Sequence, residues 1–236
     1  MRKITYVLLV FGLLCLLVAC RKQKEPQNIV ETTESRPLVT ADKSTESSRG
    51  KDNHILIAYF TWAENTNVSD PDSVDVDAIT SASVLMPRNV GLLAKWIQEE
   101  TDGDVFSIVT QTPYSSDYDD CLDRAVTEHD EGVHPVIKNH VENIEKYDTV
   151  FLGFPNWWYS CPMAILTFIE EHDLSGKMIV PFCSHGTGGF AASLQDIRKA
   201  LPDDCLVLEE FGAYRPEVSD SKDELLGWLS GLDISY

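Results

Sequence analysis

The sequence is short of positive charge. Its 236 residues include 19 Lys and Arg against 38 Asp and Glu, a formal net charge of −19. Eight of the basic residues and only five of the acids fall in the first 50, which leaves 11 basic and 33 acidic residues, a charge of −22, from residue 51 onward. A domain so acidic repels a phosphate backbone, so nucleic acid is excluded as a partner. Solubility and attraction of basic partners or cations follow instead. Cysteine is scarce and badly spaced for zinc or thioredoxin-like chemistry. No CxxC occurs, and beyond Cys15 and Cys20 only Cys121, Cys161, Cys183 and Cys205 remain. The absence of HExxH, of a G-x-S-x-G elbow and of a Walker lysine removes the common hydrolase classes. His54, His129, His134, His140 and His172 show no ligand pairing and are expected at the surface.

Nor does any apolar run reach the roughly 20 residues of a membrane-spanning helix. The longest, Val7 to Val18, follows Arg2 and Lys3 and ends in "LVAC". This resembles a bacterial lipoprotein signal, with residues 1–19 removed and Cys20 lipidated; an ordinary secretory signal or a short anchor is the alternative. Each places the rest of the chain outside the cytoplasmic membrane, where a disulfide is permitted but not implied. Residues 20–52 are rich in Glu, Ser, Thr, Lys and Pro and cannot bury enough surface to offset ordering entropy, so they read as a disordered tether. The domain is expected over residues 53–236.

Within it, five short apolar runs alternate with helical patterns. Strands are expected at Ile55–Phe60, Val105–Val109, Thr149–Gly153, Lys177–Cys183 and Cys205–Leu208. Helices are expected through Val90–Ile97, through Tyr118–Ala125 with a capping box opened by Ser116, through Ile137–Ile144, from Met163 to Ile169 behind Pro162, through Phe190–Leu201, and through Leu225–Leu232. Apolar strands separated by helices point to an α/β fold, one doubly wound five-stranded parallel sheet with helices on both faces. Pro181 lacks a donor for the ladder, so an irregularity is expected beside it.

Ligands of such sheets bind beyond the carboxyl ends of the strands. The segments there are "TWAENT", "FPNWWYSCP" and "SHGTGGF": hydroxyls and amides for a phosphate, an aromatic platform, and a glycine-rich turn that lets backbone approach a flat ring. An aromatic phosphate ester fits all three. "FLGFPNWWYSCPMAI" and "IVPFCSHGTGGF" resemble the flavodoxin-like FMN-binding family, closest to bacterial flavodoxins with a W-W pair after the third strand. The resemblance implies FMN as cofactor. Its phosphate loop, S/T-x-S/T-G-N-T, is split here: Thr61, Trp62 and Ala63 supply the first half. After an acidic insertion, Glu64 to Met86, residues Arg88, Asn89 and Val90 stand where G-N-T would, at a helix start. In this reading Asn65 and Thr66 belong to the insertion. Asp70, Asp72, Asp75 and Asp77 in the insertion lack EF-hand spacing and read as a solvated loop rather than a calcium site. The resemblance further implies cofactor contacts from Pro155, Asn156, Trp157, Trp158, Tyr159, His185, Gly186 and Gly188.

Three functions follow. One is an electron carrier whose redox partner is a protein or a membrane electron carrier. Another is an FMN-dependent NAD(P)H:quinone-type reductase, disfavoured by the scarcity of NAD(P)H outside the membrane. The last is a surface interaction module that has lost the flavin. An acidic surface and an apolar site would both oppose the negative charge of a reduced flavin.

Overall fold

The computed structural model describes residues 54–74, 76, 84–85 and 89–236. The expected signal, Cys20, the expected tether, Arg88 and residues 75, 77–83 and 86 of the acidic insertion lie outside the described residues. The strands are β1 (Ile55–Tyr59), β2 (Asp104–Ser107), β3 (Thr149–Pro155), β4 (Met178–His185), β5 (Leu206–Val207) and β6 (Phe211–Tyr214). The sheet is parallel in the order β2-β1-β3-β4-β5, and β6 continues the fifth position against β4. The helices are α1 (Val90–Thr101), α2 (Tyr118–Glu131), α3 (Met163–Glu171), α4 (Ser193–Ala200) and α5 (Lys222–Gly231).

All of β1 and β3 is buried, because both faces of the sheet are covered. On one face Ile57, Phe151, Val180 and Phe182 pack with Leu93 and Ile97 of α1 and Leu225 and Leu229 of α5. On the other, Leu56, Leu152, Phe154 and Ile179 meet Phe168 and Ile165 of α3, Ile197 of α4 and Cys121 of α2. The edge strand β2 is the exception, with Asp104 and Val105 exposed. Gly153 is forced small: a Cβ there would land on the ring of its β4 neighbour Phe182.

Pro181 explains why the fifth strand comes in two pieces. Ile179 accepts from Leu208 N at 2.9 Å and His185 accepts from Arg215 N at 2.8 Å, so the odd-numbered residues of β4 face the fifth position. Pro181 is one of them and has no N–H to give. The ladder on that side stops after Ile179 and resumes at Phe182, while pairing with β3 runs unbroken from Met178 to Ser184. The expected irregularity therefore falls on the neighbour rather than on β4 itself.

Three expectations are corrected. Helix α2 is capped by Asp117, whose carboxylate accepts from Asp120 N at 3.0 Å, not by Ser116. Residues 137–143 form no helix. Lys138 N donates to Val109 O, Ile137 bridges antiparallel to Thr110, and only Ile144–Lys146 makes a 3-10 turn, after Asn143 at φ 55°. The chain beyond β2 offers backbone partners that outcompete the helical ones. Finally, His172 is buried rather than at the surface: its Nδ1 donates to Phe168 O at 2.8 Å and its Nε2 accepts from Val141 N at 2.9 Å.

Candidate functional site

The carboxyl ends of β1, β3 and β4 open onto one cleft of about 290 Å³. Its lining includes Trp62 from the first loop, Asn156 to Tyr159 from the second, Gly186 to Gly188 from the third, and Arg215 from the chain after β6. A wall that the sequence did not announce comes from α2, where Tyr118, Cys121, Leu122 and Ala125 line up at helical spacing. Burial pushes the Cys121 thiol up to about 12, so this wall carries no thiolate. The four described cysteines, Cys121, Cys161, Cys183 and Cys205, are all free.

The W-W pair divides its labour. Trp157 N donates to Ser160 O at 2.8 Å and Ser160 N returns a bond to Trp157 O at 2.9 Å, closing a two-residue turn. Both central residues then take positive φ, 46° at Trp158 and 61° at Tyr159, as in the type I′ geometry usually filled by Asn and Gly. Bulky residues there are strained, and the turn directs both rings outward, 44% and 67% exposed. Trp157 instead turns inward and meets Phe60, Trp62 and Tyr114 edge-on, with centroids 5.2, 6.2 and 5.2 Å away. Behind the turn, Ser160 Oγ donates to Asp196 Oδ2 at 2.7 Å. The Asn156 amide donates to Phe190 O at 2.8 Å and Ser193 Oγ at 3.1 Å, tying the second loop to the third. Pro155 is buried below them.

The glycines of the third loop lie within van der Waals reach of two cleft side chains. A Cβ on Gly188 would meet the Tyr159 ring at 3.7 Å, and one on Gly186 would meet the Arg215 guanidinium at 3.5 Å. His185 faces elsewhere: its Nδ1 pairs with Gly186 O at 2.8 Å and its ring lies against Phe190 and Gly212. It does not line the cleft, whereas Arg215, which sequence reasoning missed, does.

The first loop closes on itself. Ala63–Asn65 is a single 3-10 turn, and Glu64 bends back so that its carboxylate accepts from Tyr59 Oη at 3.0 Å and Thr61 Oγ1 at 2.9 Å. Burial, reinforced by the Glu64 charge, raises the Tyr59 phenol far above its usual range. Asn65 is the loop's buried strut. Its Nδ2 donates to Thr61 O and Ile108 O at 2.8 and 3.0 Å, and its Oδ1 accepts from Thr110 N and Oγ1 at 2.7 and 3.0 Å. It belongs to the framework of the first loop, not to the insertion. The start of α1 lies against the same loop: a Cβ on Gly91 would stand 3.7 Å from Thr61 Cγ2. Asn89, at φ 51°, precedes the helix without a side-chain cap, and its carbonyl accepts from Leu92 and Leu93 N. Thr61 thus touches the start of α1, just after Asn89 and Val90, whereas Ala63 faces a separate cavity with Thr66 and Val68, and Arg88 lies outside the described residues.

A parallel sheet in the order 2-1-3-4-5, with a cleft at the carboxyl ends of its central strands, defines the class of doubly wound proteins whose ligands sit at the strand switch. The flavodoxin family matches residues 78–231, and the chain belongs to it. Among solved structures, the chain is similar to a candidate flavoprotein of Bacteroides eggerthii DSM 20697, with 28% identity over 77% of this chain and 99% of that one and a TM-score of 0.56. A candidate flavoprotein of Bacteroides uniformis ATCC 8492 shares the fold at 22% identity over 76% and 99% of the two chains, TM-score 0.54. So does a flavoprotein of Lactobacillus acidophilus NCFM, solved in complex with FMN, at 15% identity over 74% and 99%, TM-score 0.52. No curated protein matches the chain.

Proposed function

We propose that this chain is an FMN-binding electron-transfer protein, held at the outer face of a bacterial membrane by a lipid on Cys20. The observation that carries the flavin reading is the turn at Trp158 and Tyr159. Two aromatic rings are turned outward on positive-φ backbone, beside a glycine turn that lines the same cleft. The residues present fit the group. Trp158, Tyr159 and the backbone of Gly186–Gly188 would hold the ring. Thr61, the amides at the start of α1 and Arg88 would hold the phosphate, since helix N-termini with unsatisfied N–H groups favour anions.

When bound, FMN supplies the storage of one or two electrons. The protein's part is to bind, orient and exclude water. Trp157 and Asn156 stiffen the second loop, Asn65 stiffens the first, and α2 walls the cleft. Charge also bears on the partner: an acidic domain of −22 suits a basic docking face on a redox protein.

Soaking the purified protein with FMN and desalting it should leave flavin absorbance at a ratio near one. A desalted protein without flavin bands overturns the reading and leaves an interaction module. For the anchor, Cys20→Ser should move the protein from the membrane to the soluble fraction. Among the described residues no helix is long and apolar enough to cross a membrane.

A further inference from the structure

The acidic composition and the aromatic cleft both argue for a flavin that resists reduction, yet the structure places a cation at the cleft. Arg215 follows β6, which pairs with the upper half of β4 beyond the gap beside Pro181. Its own N–H donates to His185 O at 2.8 Å, which pins its backbone to the end of β4. From there the half-buried side chain turns back over the glycine turn, where its guanidinium carbon and Nη1 would both stand 3.5 Å from a Cβ on Gly186. It shares the cleft with Trp158, Tyr159 and Gly188.

We propose that Arg215 is the residue that sets the redox poise of the site, by offering a fixed positive charge to the negative charge a flavin gains on reduction. The inference rests on the flavin reading above. Two electrons and one proton added to a neutral flavin ring leave one net negative charge, and a cation beside the ring favours that product. Arg215 thereby opposes the field of the acidic surface, which is spread out and screened by salt, whereas the guanidinium is local. The site is tuned toward two-electron use more than the composition alone implies.

Sulfite reads this charge without an electron donor. Its sulfur lone pair forms a bond to the flavin ring, and the displaced electron pair leaves the ring anionic. The parent protein, Arg215→Gln and Arg215→Lys are first titrated with oxidised FMN and then, FMN-loaded, with sulfite. Unit charges roughly 10 Å apart at a protein-like dielectric shift an equilibrium by about tenfold. Arg215→Gln should therefore weaken sulfite binding by about tenfold or more, while its affinity for oxidised FMN changes far less; Arg215→Lys should recover most of the loss. For a two-electron couple, tenfold corresponds to a midpoint lowered by about 30 mV, measurable against a reference dye. Equal sulfite affinity in the parent and Arg215→Gln overturns the proposal, as does an equal loss for oxidised FMN and sulfite, which marks a structural role. A parent that retains no FMN removes the flavin reading itself.

Discussion

Asn65 should be among the least replaceable polar residues of the first loop. Truncation to alanine removes four hydrogen bonds at a site 1% exposed. Thr110 Oγ1 keeps a second acceptor, Thr112 O at 3.0 Å, but Thr110 N–H loses the partner it has in Asn65 Oδ1. The carbonyls of Thr61 and Ile108 lose a donor each. A buried group left unsatisfied costs about 1–3 kcal/mol, so Asn65→Ala should cost about 3–5 kcal/mol after partial rehydration of the space left behind. At a urea m-value of about 2 kcal/mol/M, the unfolding midpoint should fall by about 2 M. Asn65→Asp is the sharper variant. It keeps the shape but turns an oxygen toward two carbonyls, and should destabilise at least as much at neutral pH. The neighbouring Thr66→Ala loses only the bond to Tyr114 O at 2.9 Å, worth about 1 kcal/mol. Urea unfolding followed by tryptophan fluorescence compares the three. If Asn65→Ala costs no more than Thr66→Ala, the loop is not held by this strut and the reasoning fails.

Three further outcomes are expected. Trp158→Gly should relieve the positive φ and leave stability equal or higher by about 1 kcal/mol, yet weaken FMN by about 1–3 kcal/mol; a parallel change in melting temperature and flavin affinity would contradict this. Glu64→Gln removes a carboxylate from the Thr61 hydroxyl and should tighten FMN by about 1–2 kcal/mol without affecting riboflavin, as isothermal titration of both ligands would reveal. Burial lowers the pKa of His172, so the folded state binds fewer protons than the unfolded one. Stability should be complete above the unfolded value of about 6.5 and decline as pH falls toward the folded value, and His172→Gln should flatten that decline in denaturation curves taken between pH 7.5 and 5.

The fold was legible because strand and helix periods alternate cleanly. Ile55–Tyr59, Thr149–Pro155 and Met178–His185 are apolar on both sides, and the helices between them each carry one apolar stripe. Residues 137–144 misled because Ile137, Val141 and Ile144 keep a helix-like spacing while the first of them pairs with Thr110. Strand β6 went unseen: "FGAY" is short, follows two glutamates and owes its separate existence to Pro181, on another strand. At the site, the aromatic and glycine loops were legible from composition. What each tryptophan does was not, because it depends on a turn that reverses the direction of successive side chains. Arg215 left no local signal, since a lone arginine after a strand resembles any surface residue until β4 and β6 are paired. Asn65 looked like loop filler because two of its three partners, Ile108 and Thr110, lie more than 40 residues away.

The break in the fifth strand also bears on how the molecule behaves in a crowd. A long, regular outer strand is a template on which another chain can add its own backbone, and sheet proteins without such protection tend to associate edge to edge. Here the outer strand is cut into runs of two and four residues, with Glu209 and Glu210 in the gap. An incoming strand would have to bridge that gap beside two carboxylates. The opposite edge, β2, is four residues long and begins at Asp104, whose carboxylate accepts from Tyr147 Oη at 2.7 Å and Lys146 Nζ at 2.9 Å. One proline inside the sheet thus faces an outer rim that it does not itself occupy, and the rim carries one extra residue across the gap, Val207 to Phe211 against Ile179 to Phe182, which keeps it interrupted.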